Sequence, residues 1–286
     1  MKRLALLAAF FLGGLQAFAQ IDIRCALDAA QALQYEPIRL TLQIVNNAGE
    51  DLVLRGPEAN AALSFEIEQL DGELLPCKRE QIFPEGLRIP SRQPVVRMIN
   101  LLDYYDMRKE GPYSIRARLD WRGKAYLSPK VLLDVFPGVE IGRFSAGRPS
   151  GGEVRVCTLR VATRDHADHL FVRIDDEEQG MCFGVYDVGR IVRLFTPVIQ
   201  MDAAGQFHVL HQSGPWRYTH SIFTSEGVPV SSRFYTAELN DVSLAETEDG
   251  TVSVKGGGAY DGGPAIPPPD RNPEKPQGPV SMPVDE

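Results

Sequence analysis

The stretch 37-PIRLTLQIVN-46 alternates apolar and polar side chains along most of its length. Its apolar side chains stand at every second position, namely Ile38, Leu40, Leu42 and Ile44. Residues two apart lie on one face of a β-strand, whereas a helix would distribute them around its circumference. The stretch therefore predicts a β-strand with one face in a core and the other in water.

Similar strand patterns continue on both sides of this stretch. In 62-ALSFEIEQLDGELLPC-77, the pair Asp71-Gly72 stands between two strand-like runs, which is a strong signal for a β-hairpin. Further strand-like runs lie at 93–102, 111–121 and 124–137. The second half also consists of short strand-like runs, and no segment has helical periodicity beyond one turn. The sequence therefore predicts an all-β chain of antiparallel sheets.

The two ends of the chain differ from its middle. Residues 1–19 have a basic start, an apolar run and a small-residue ending, which is the pattern of a secretory signal peptide. No apolar run reaches the roughly 20 residues that a membrane-spanning helix needs. Residues 256–286 are rich in Gly, Pro and charge, and predict a disordered tail. We expect an exported chain, periplasmic or extracellular, with domains at 20–137 and 138–255.

The first domain resembles bacterial exported immunoglobulin-like modules over about residues 21–137. In the segment 99–135, a short loop and a Gly-Pro-Tyr sequence open the penultimate strand, and a Ser-containing final strand follows. The resemblance implies an immunoglobulin-like β-sandwich in which Tyr113 forms a tyrosine corner, its hydroxyl bonding to upstream backbone. It implies no catalytic residues.

The second domain is similar to the hairpins of β-propeller blades. Asp202 and Gly205 form a D-x-x-G turn before a strand that carries His208, and Glu226-Gly227 forms the next turn. A blade needs roughly 40 to 45 residues, so this domain would hold too few blades to close a propeller. A second antiparallel β domain is therefore expected, either a sandwich or blade-like sheets, and a compact sandwich or a sheet packed on the first domain is favoured over an open propeller.

Charge and cysteine content limit the possible partners and cofactors. Loss of Lys2 and Arg3 with the signal peptide changes the formal net charge from −8 to −10, which disfavours nucleic acid and anionic lipid. An unknown protein or glycan is therefore the expected partner. The four cysteines, Cys25, Cys77, Cys157 and Cys182, match no zinc pattern, and in an oxidising compartment they favour disulfides. Three connectivities are possible, and Cys25–Cys77 with Cys157–Cys182 is preferred.

All five histidines lie between residues 166 and 220, and histidine is a common metal ligand and general base. In 202-DAAGQFHVLHQSGPWRYTHSIF-223, a hairpin turn at Ser213-Gly214 would place His211 and His220 on one face. They would stand about 13 Å apart along the strands, too far for one zinc ion. His208 would lie on the other face.

The same pairing builds an aromatic-rich face from Phe207, Val209, His211, Trp216, Tyr218 and His220. The favoured interpretation is a packed core face, since aromatic and β-branched residues suit one. The alternative is an exposed platform on which Trp216, Tyr218 and His211 bind a sugar or a peptide.

Two polar segments are candidate cation sites. In 164-RDHADH-169, Asp165, His166 and His169 could supply a carboxylate and two nitrogens to a divalent metal, although a polar turn is favoured. The segment 173-RIDDEEQG-180 could offer oxygen ligands to calcium, although a solvated hairpin tip is the more usual role. We expect no cofactor, with a divalent metal as the alternative.

Three functions follow from these patterns. The favoured hypothesis is an exported non-enzymatic β protein for recognition or cell-envelope assembly. The second is a metal-dependent envelope hydrolase that uses His166, His169 and either His208 or His211. The third is a carbohydrate-binding module that works through Trp216 and Tyr218.

Overall fold

The computed structural model describes residues 20–69, 71–79, 82–83, 86–147, 153–238, 241–260 and 280–281. It confirms the prediction of an all-β chain with several antiparallel sheets. The strands of the first half are β1 (Ile21–Leu27), β2 (Gln31–Leu33), β3 (Arg39–Asn46), β4 (Leu52–Val53), β5 (Ala61–Gln69), β6 (Arg88–Ile89), β7 (Pro94–Asn100), β8 (Gly111–Trp121), β9 (Lys124–Leu127) and β10 (Val131–Phe136). A 3₁₀ turn, Leu101–Asp103, follows β7.

The first half folds into two larger sheets that share one apolar core, and β4 and β6 form a separate two-stranded sheet. Sheet A has the order β1-β3-β7, and sheet B has the order β2-β10-β8-β5 with β9 beside β8. Leu40, Leu42 and Ile44 of β3 are buried, as their alternation predicts, and pack in one cluster with Ile115 and Leu119 of β8. Each such side chain stabilises the fold by roughly 1.5–3 kcal/mol relative to exposure.

Tyr113 makes the hydrogen bond that the tyrosine-corner prediction requires. Its hydroxyl donates to the carbonyl of Lys109, four residues upstream, at 2.6 Å. Burial raises the pKa of Tyr113 to about 12, which keeps the hydroxyl protonated as a donor. The contact is confirmed, and it ties the loop before β8 to the start of that strand.

The second half continues with strands alone. They are β11 (Val139–Gly147), β12 (Val154–Arg164), β13 (Ala167–Asp176), β14 (Met181–Arg190), β15 (Val198–Met201), β16 (Phe207–Gly214), β17 (Arg217–Phe223), β18 (Pro229–Thr236), β19 (Ser243–Glu246), β20 (Val252–Lys255), β21 (Gly258–Tyr260) and β22 (Val280–Ser281). The predicted turns are present, since Gly205 and Gly227 each adopt a positive φ at a chain reversal.

Two five-stranded sheets of the second half pack face to face. Sheet C has the order β11-β12-β13-β14-β22, and sheet D has the order β15-β16-β17-β18-β21. Leu159 and Val172 of sheet C share a buried cluster with Phe207, Val209 and Phe223 of sheet D. The β19–β20 hairpin covers the other face of sheet D, where Leu244 and Val254 pack against a second cluster.

The second half extends beyond the predicted start of the tail at residue 256. Gly258–Tyr260 forms β21, which pairs with residues 234–236 of β18. Val280–Ser281 forms β22, which pairs with residues 181–182 of β14. The remainder of the predicted tail and the predicted signal peptide, residues 1–19, lie outside the described residues. In the described part of the chain, no helix is long and apolar enough to span a membrane.

The four cysteines are free thiols, so the preferred pairs Cys25–Cys77 and Cys157–Cys182 are not formed in the structure. Cys157 is buried between sheets C and D, whereas Cys182 is buried on the opposite face of sheet C. Side chains on opposite faces of a sheet point apart and cannot bridge without backbone movement. Burial raises the pKa of both thiols, which suppresses their reactive thiolate form.

Candidate functional site

The β16–β17 hairpin turns later than predicted. The prediction placed the turn at Ser213-Gly214, but Pro215-Trp216 occupy it and Gly214 pairs with Arg217. Ser213 is an extra residue that bulges out of the ladder. Proline has no N–H to give to a ladder and favours the first central position of a turn, so Pro215 is the signal that would have located the turn.

The later turn changes which histidines share a face. Leu210 lies opposite His220, whereas the predicted turn would have placed Leu210 opposite Arg217, a displacement of three residues. An odd displacement moves every side chain of β17 to the other face relative to β16. His208 and His220 therefore share a face and His211 lies on the other, which corrects the predicted grouping of His211 with His220.

His208 and His220 form a buried hydrogen-bonded chain with Asp202. His208 Nδ1 lies 3.0 Å from His220 Nε2, and His208 Nε2 lies 3.1 Å from Asp202 Oδ2. The two imidazole rings stack with their centroids 5.1 Å apart. Asp202 is held in the turn before β16, where its Oδ1 accepts from the Gln206 N–H at 2.7 Å. The β19–β20 hairpin joins this turn, since the Ala203 N–H donates to the Gly250 carbonyl at 2.9 Å.

The chain of hydrogen bonds determines where protons are held. In the neutral pair, His208 Nε2–H donates to Asp202, so His208 Nδ1 must accept from His220 Nε2–H. His220 Nδ1 then carries a lone pair. Burial lowers the pKa of His220 to about 4, and the neighbouring charges of His208 and Arg233 add smaller effects in the same direction. His220 is therefore neutral at neutral pH.

His211 is enclosed on the face of β16 that looks towards sheet C. It is fully buried, and neither ring nitrogen makes a hydrogen bond of good geometry with the described residues. Burial lowers the pKa of His211 to about 4, while the nearby Arg190 carbonyl opposes that effect. A buried imidazole whose hydrogen bonds are poor costs stability, so His211 is expected to contribute less to the packing than an apolar side chain of similar size.

The predicted sugar-binding residues Trp216, Tyr218 and His211 lie in three environments. Trp216 occupies the hairpin tip and is 64% exposed. Tyr218 is fully buried on the face of sheet D that the β19–β20 hairpin covers, edge to face with Phe195. His211 lies on the opposite face. The structure thus brings no two of them onto one exposed surface.

The predicted metal residues Asp165, His166 and His169 lie in and beside the β12–β13 hairpin. Asp165 and His166 form its two-residue turn with φ values of 49° and 61°, as a type I′ turn requires. His169 lies inside β13, where its Nδ1 is 2.9 Å from Asp187 Oδ2. Within the described ranges, no group of three or more His, Cys, Asp or Glu side chains is placed to hold a metal ion.

Asp187 joins His169 to a polar junction between the two halves of the chain. Arg164 donates to Asp187 Oδ2 at 3.0 Å and to Glu36 Oε2 of the first half at 2.6 Å. Its guanidinium also lies 5.0 Å from the centre of the Phe171 ring. Apolar contact accompanies these ion pairs, because Leu33 and Tyr35 of the first half pack in one cluster with Ala162, Phe171, Cys182 and Val185 of sheet C.

The acidic segment 173–180 is only partly the solvated tip that the sequence favours. Asp175 and Asp176 are buried, and each is paired with an arginine. Arg173 Nε donates to Asp175 Oδ2 at 2.8 Å, and Arg155 Nη1 donates to Asp176 Oδ2 at 2.5 Å. Burial raises the pKa of Asp175, against the opposing charge of Arg173. These two carboxylates are thus engaged in ion pairs within sheet C, and of the four carboxylates in the segment the next two, both glutamates, are exposed at the tip.

The outer edge of β7 is a site that the sequence patterns did not single out. In an antiparallel ladder, alternate residues turn their N–H and C=O groups towards the same neighbour. The Leu101 N–H donates to the Ile38 carbonyl at 2.9 Å, so odd-numbered residues of β7 face β3. The backbone groups of Val96 and Met98 therefore point away from sheet A.

The free edge of β5 is partly closed by a side chain, whereas the edge of β7 is less covered. On the free edge of β5, the Tyr105 hydroxyl bonds both the N–H and the C=O of Phe65 at 3.1 Å. On β7, the only such contact recorded in the described part of the chain is from Arg97 Nη1 to the Val96 carbonyl, at 2.8 Å. Val96 and Met98 are 51% and 55% exposed. Within the described residues, the Val96 N–H and the Met98 N–H and C=O groups point outward without a partner beside two exposed apolar side chains, and the Val96 carbonyl is occupied by Arg97.

Comparison with known proteins gives no family for the chain. No family model matches it, and no curated protein matches it significantly. Similar solved structures include the periplasmic chaperone SfaE, with 9% identity, a TM-score of 0.23 and coverage of 74% of this chain and 100% of that chain. Another is a DUF4784 family protein from Bacteroides caccae, with 7% identity, a TM-score of 0.20 and coverage of 82% and 84%. At these TM-scores the likeness carries no argument about function.

Proposed function

We propose that the protein is an exported, non-enzymatic β protein that recognises another polypeptide in the cell envelope. The observation that carries this proposal is the open edge of β7, where the Val96 and Met98 backbone groups point outward beside their exposed side chains. An unpaired edge is a template for strand addition, in which backbone hydrogen bonds supply affinity and alternate side chains supply specificity. The signal-peptide pattern of residues 1–19 supports export.

The histidine-based alternatives depend on groups that the fold separates. The hydrolase hypothesis needs His166 and His169 to act with His208 or His211. His166 lies at a hairpin tip, His169 contacts Asp187 in sheet C, and the other two lie within sheet D. The carbohydrate hypothesis retains Trp216 alone as an exposed aromatic surface. A recognition function uses groups that are already accessible.

Site-specific photo-crosslinking in the host cell tests the proposal. A photoreactive amino acid at Met98 is expected to form a discrete adduct with a polypeptide, which mass spectrometry identifies. The matched control is Leu127 of β9, which is 46% exposed but lies on a strand outside sheet A. The same adducts at both positions, or none at Met98, would refute the proposal. A chain with both His166→Ala and His169→Ala should give the adduct unchanged.

A further inference from the structure

We infer that the open edge of β7 binds an extended strand that carries one acidic side chain between two apolar side chains. The inference rests on the proposed function and specifies the chemistry of its partner. It follows from three observations: the direction of the free backbone groups, the charge of the edge segment, and the alternation of side chains along β7.

The edge segment is basic within an acidic protein. Residues 89–102 contain Arg92 and Arg97 and no Asp or Glu, whereas the whole chain has a formal net charge of −8. Both arginines are exposed, and neither makes an ion pair with the residues that the structure describes. A guanidinium that has only the Val96 carbonyl as an acceptor retains donors for a carboxylate. The local charge therefore favours an acidic partner.

The alternation of side chains along β7 determines which position of the partner strand carries the acidic side chain. Val96 and Met98 lie on the outer face of sheet A, whereas Arg97 lies opposite the buried Leu42 and points to the other face. In an added antiparallel strand, the residue opposite Arg97 lies on the same face, with the two Cβ atoms about 4.5–5.5 Å apart. The residues on either side of it lie beside Val96 and Met98. The partner strand therefore carries an apolar, an acidic and an apolar side chain at three consecutive positions.

The same charges disfavour a second copy of this chain. If two copies paired antiparallel through β7, the pairing would be centred on Val96, Arg97 or Met98. In each of these registers, the Arg97 side chains of the two copies would lie opposite or diagonal to each other. Like charges in these positions are destabilising. Pro94 lacks an N–H and removes one further hydrogen bond from such a pairing. Positive charge and proline on an edge are devices that prevent self-association.

Defined peptides test the inference on the full chain. The probe is acetyl-Thr-Thr-Val-Glu-Val-Thr-Thr-amide, and the matched control carries Lys in place of Glu. We expect the Glu peptide to bind roughly tenfold more tightly than the Lys peptide, and the Arg97→Glu variant to reverse this order. Met98→Pro removes an outward N–H without breaking the β3–β7 ladder and should abolish binding, whereas Met98→Leu should retain it.

Amide hydrogen exchange with and without peptide distinguishes the outcomes. Protection gained at the Val96 and Met98 amides on addition of the Glu peptide is the expected result. Equal binding of both peptides, or full binding by Met98→Pro, would overturn the inference. Protection that rises with protein concentration alone would assign the edge to a second copy and also overturn it. If Met98 crosslinks a polypeptide in cells but neither peptide binds, this inference fails while the proposed function stands.

Discussion

Replacement of His211 by methionine should make the protein more stable, and the gain should increase as the pH falls. His211 is fully buried without good hydrogen bonds, and its folded-state pKa is about 4. An unfolded histidine has a pKa of roughly 6.5, so the unfolded chain binds more protons between these two values. The unfolding free energy therefore decreases as the pH falls through this window. A methionine at this position removes the part of the decrease that His211 causes.

The size of this pH effect follows from the folded and unfolded pKa values of histidine. Between pH 7 and pH 5, linkage predicts a loss of about 2 kcal/mol from one histidine with a folded pKa near 4. His220 has the same folded pKa, so the unfolding free energy of the parent chain should fall by about 4 kcal/mol from His211 and His220 together. The His211→Met variant should lose about 2 kcal/mol. At pH 7 it should be more stable by about 1 kcal/mol, because a neutral imidazole without partners is replaced by an apolar side chain.

Urea unfolding followed by circular dichroism at pH 7, 6 and 5 measures these differences. The control is His166→Met at the exposed hairpin tip, which replaces a histidine that the core does not enclose. If His211→Met shows the same pH dependence as the parent chain, His211 does not titrate as an enclosed neutral group. Burial would then not suppress the protonation of His211 in the folded chain.

Further changes test the junction, the thiols and the hairpin tips. Arg164→Met should destabilise the chain by about 3 kcal/mol in chemical unfolding, because it leaves two partly buried carboxylates without their partner. Iodoacetamide should leave Cys157 and Cys182 unmodified in the native state and label them after unfolding, since burial raises both pKa values. An aqueous quencher should reach Trp216 in a chain whose other tryptophan is replaced, and resistance to quenching would contradict its exposure. His166→Gly should raise the unfolding free energy by about 1 kcal/mol, measured as a higher thermal midpoint, because glycine adopts a positive φ without strain.

Local patterns predicted strands and turns well. The alternation in 37–46 yields a strand with its apolar side chains buried, and the Gly205 and Gly227 turns lie where their motifs indicate. Tyr113 also makes its predicted backbone contact. These features depend on residues close together in sequence, because side-chain period and turn conformation are properties of a few consecutive residues.

The candidate site was less predictable because it depends on register. The difference between a turn at Ser213-Gly214 and one at Pro215-Trp216 displaces β17 by three residues and regroups the histidines. The hydrogen bond between His208 and His220 could not follow from the predicted pairing. Asp202, which completes that chain, was identified only as a turn residue.

By itself, the sequence determined that this chain forms short strands, where several of them turn, and that acidic residues outnumber basic ones. Only the tertiary structure decided that Cys157 and Cys182 lie on opposite faces of a sheet, that His211 is buried without a hydrogen bond of good geometry to the described residues, and that none of the described strands covers the outer edge of β7. The physical reason is that a strand pattern specifies which side chains share a face but not which neighbour covers that face. Edges and buried contacts are properties of strand neighbours that lie far apart in the chain.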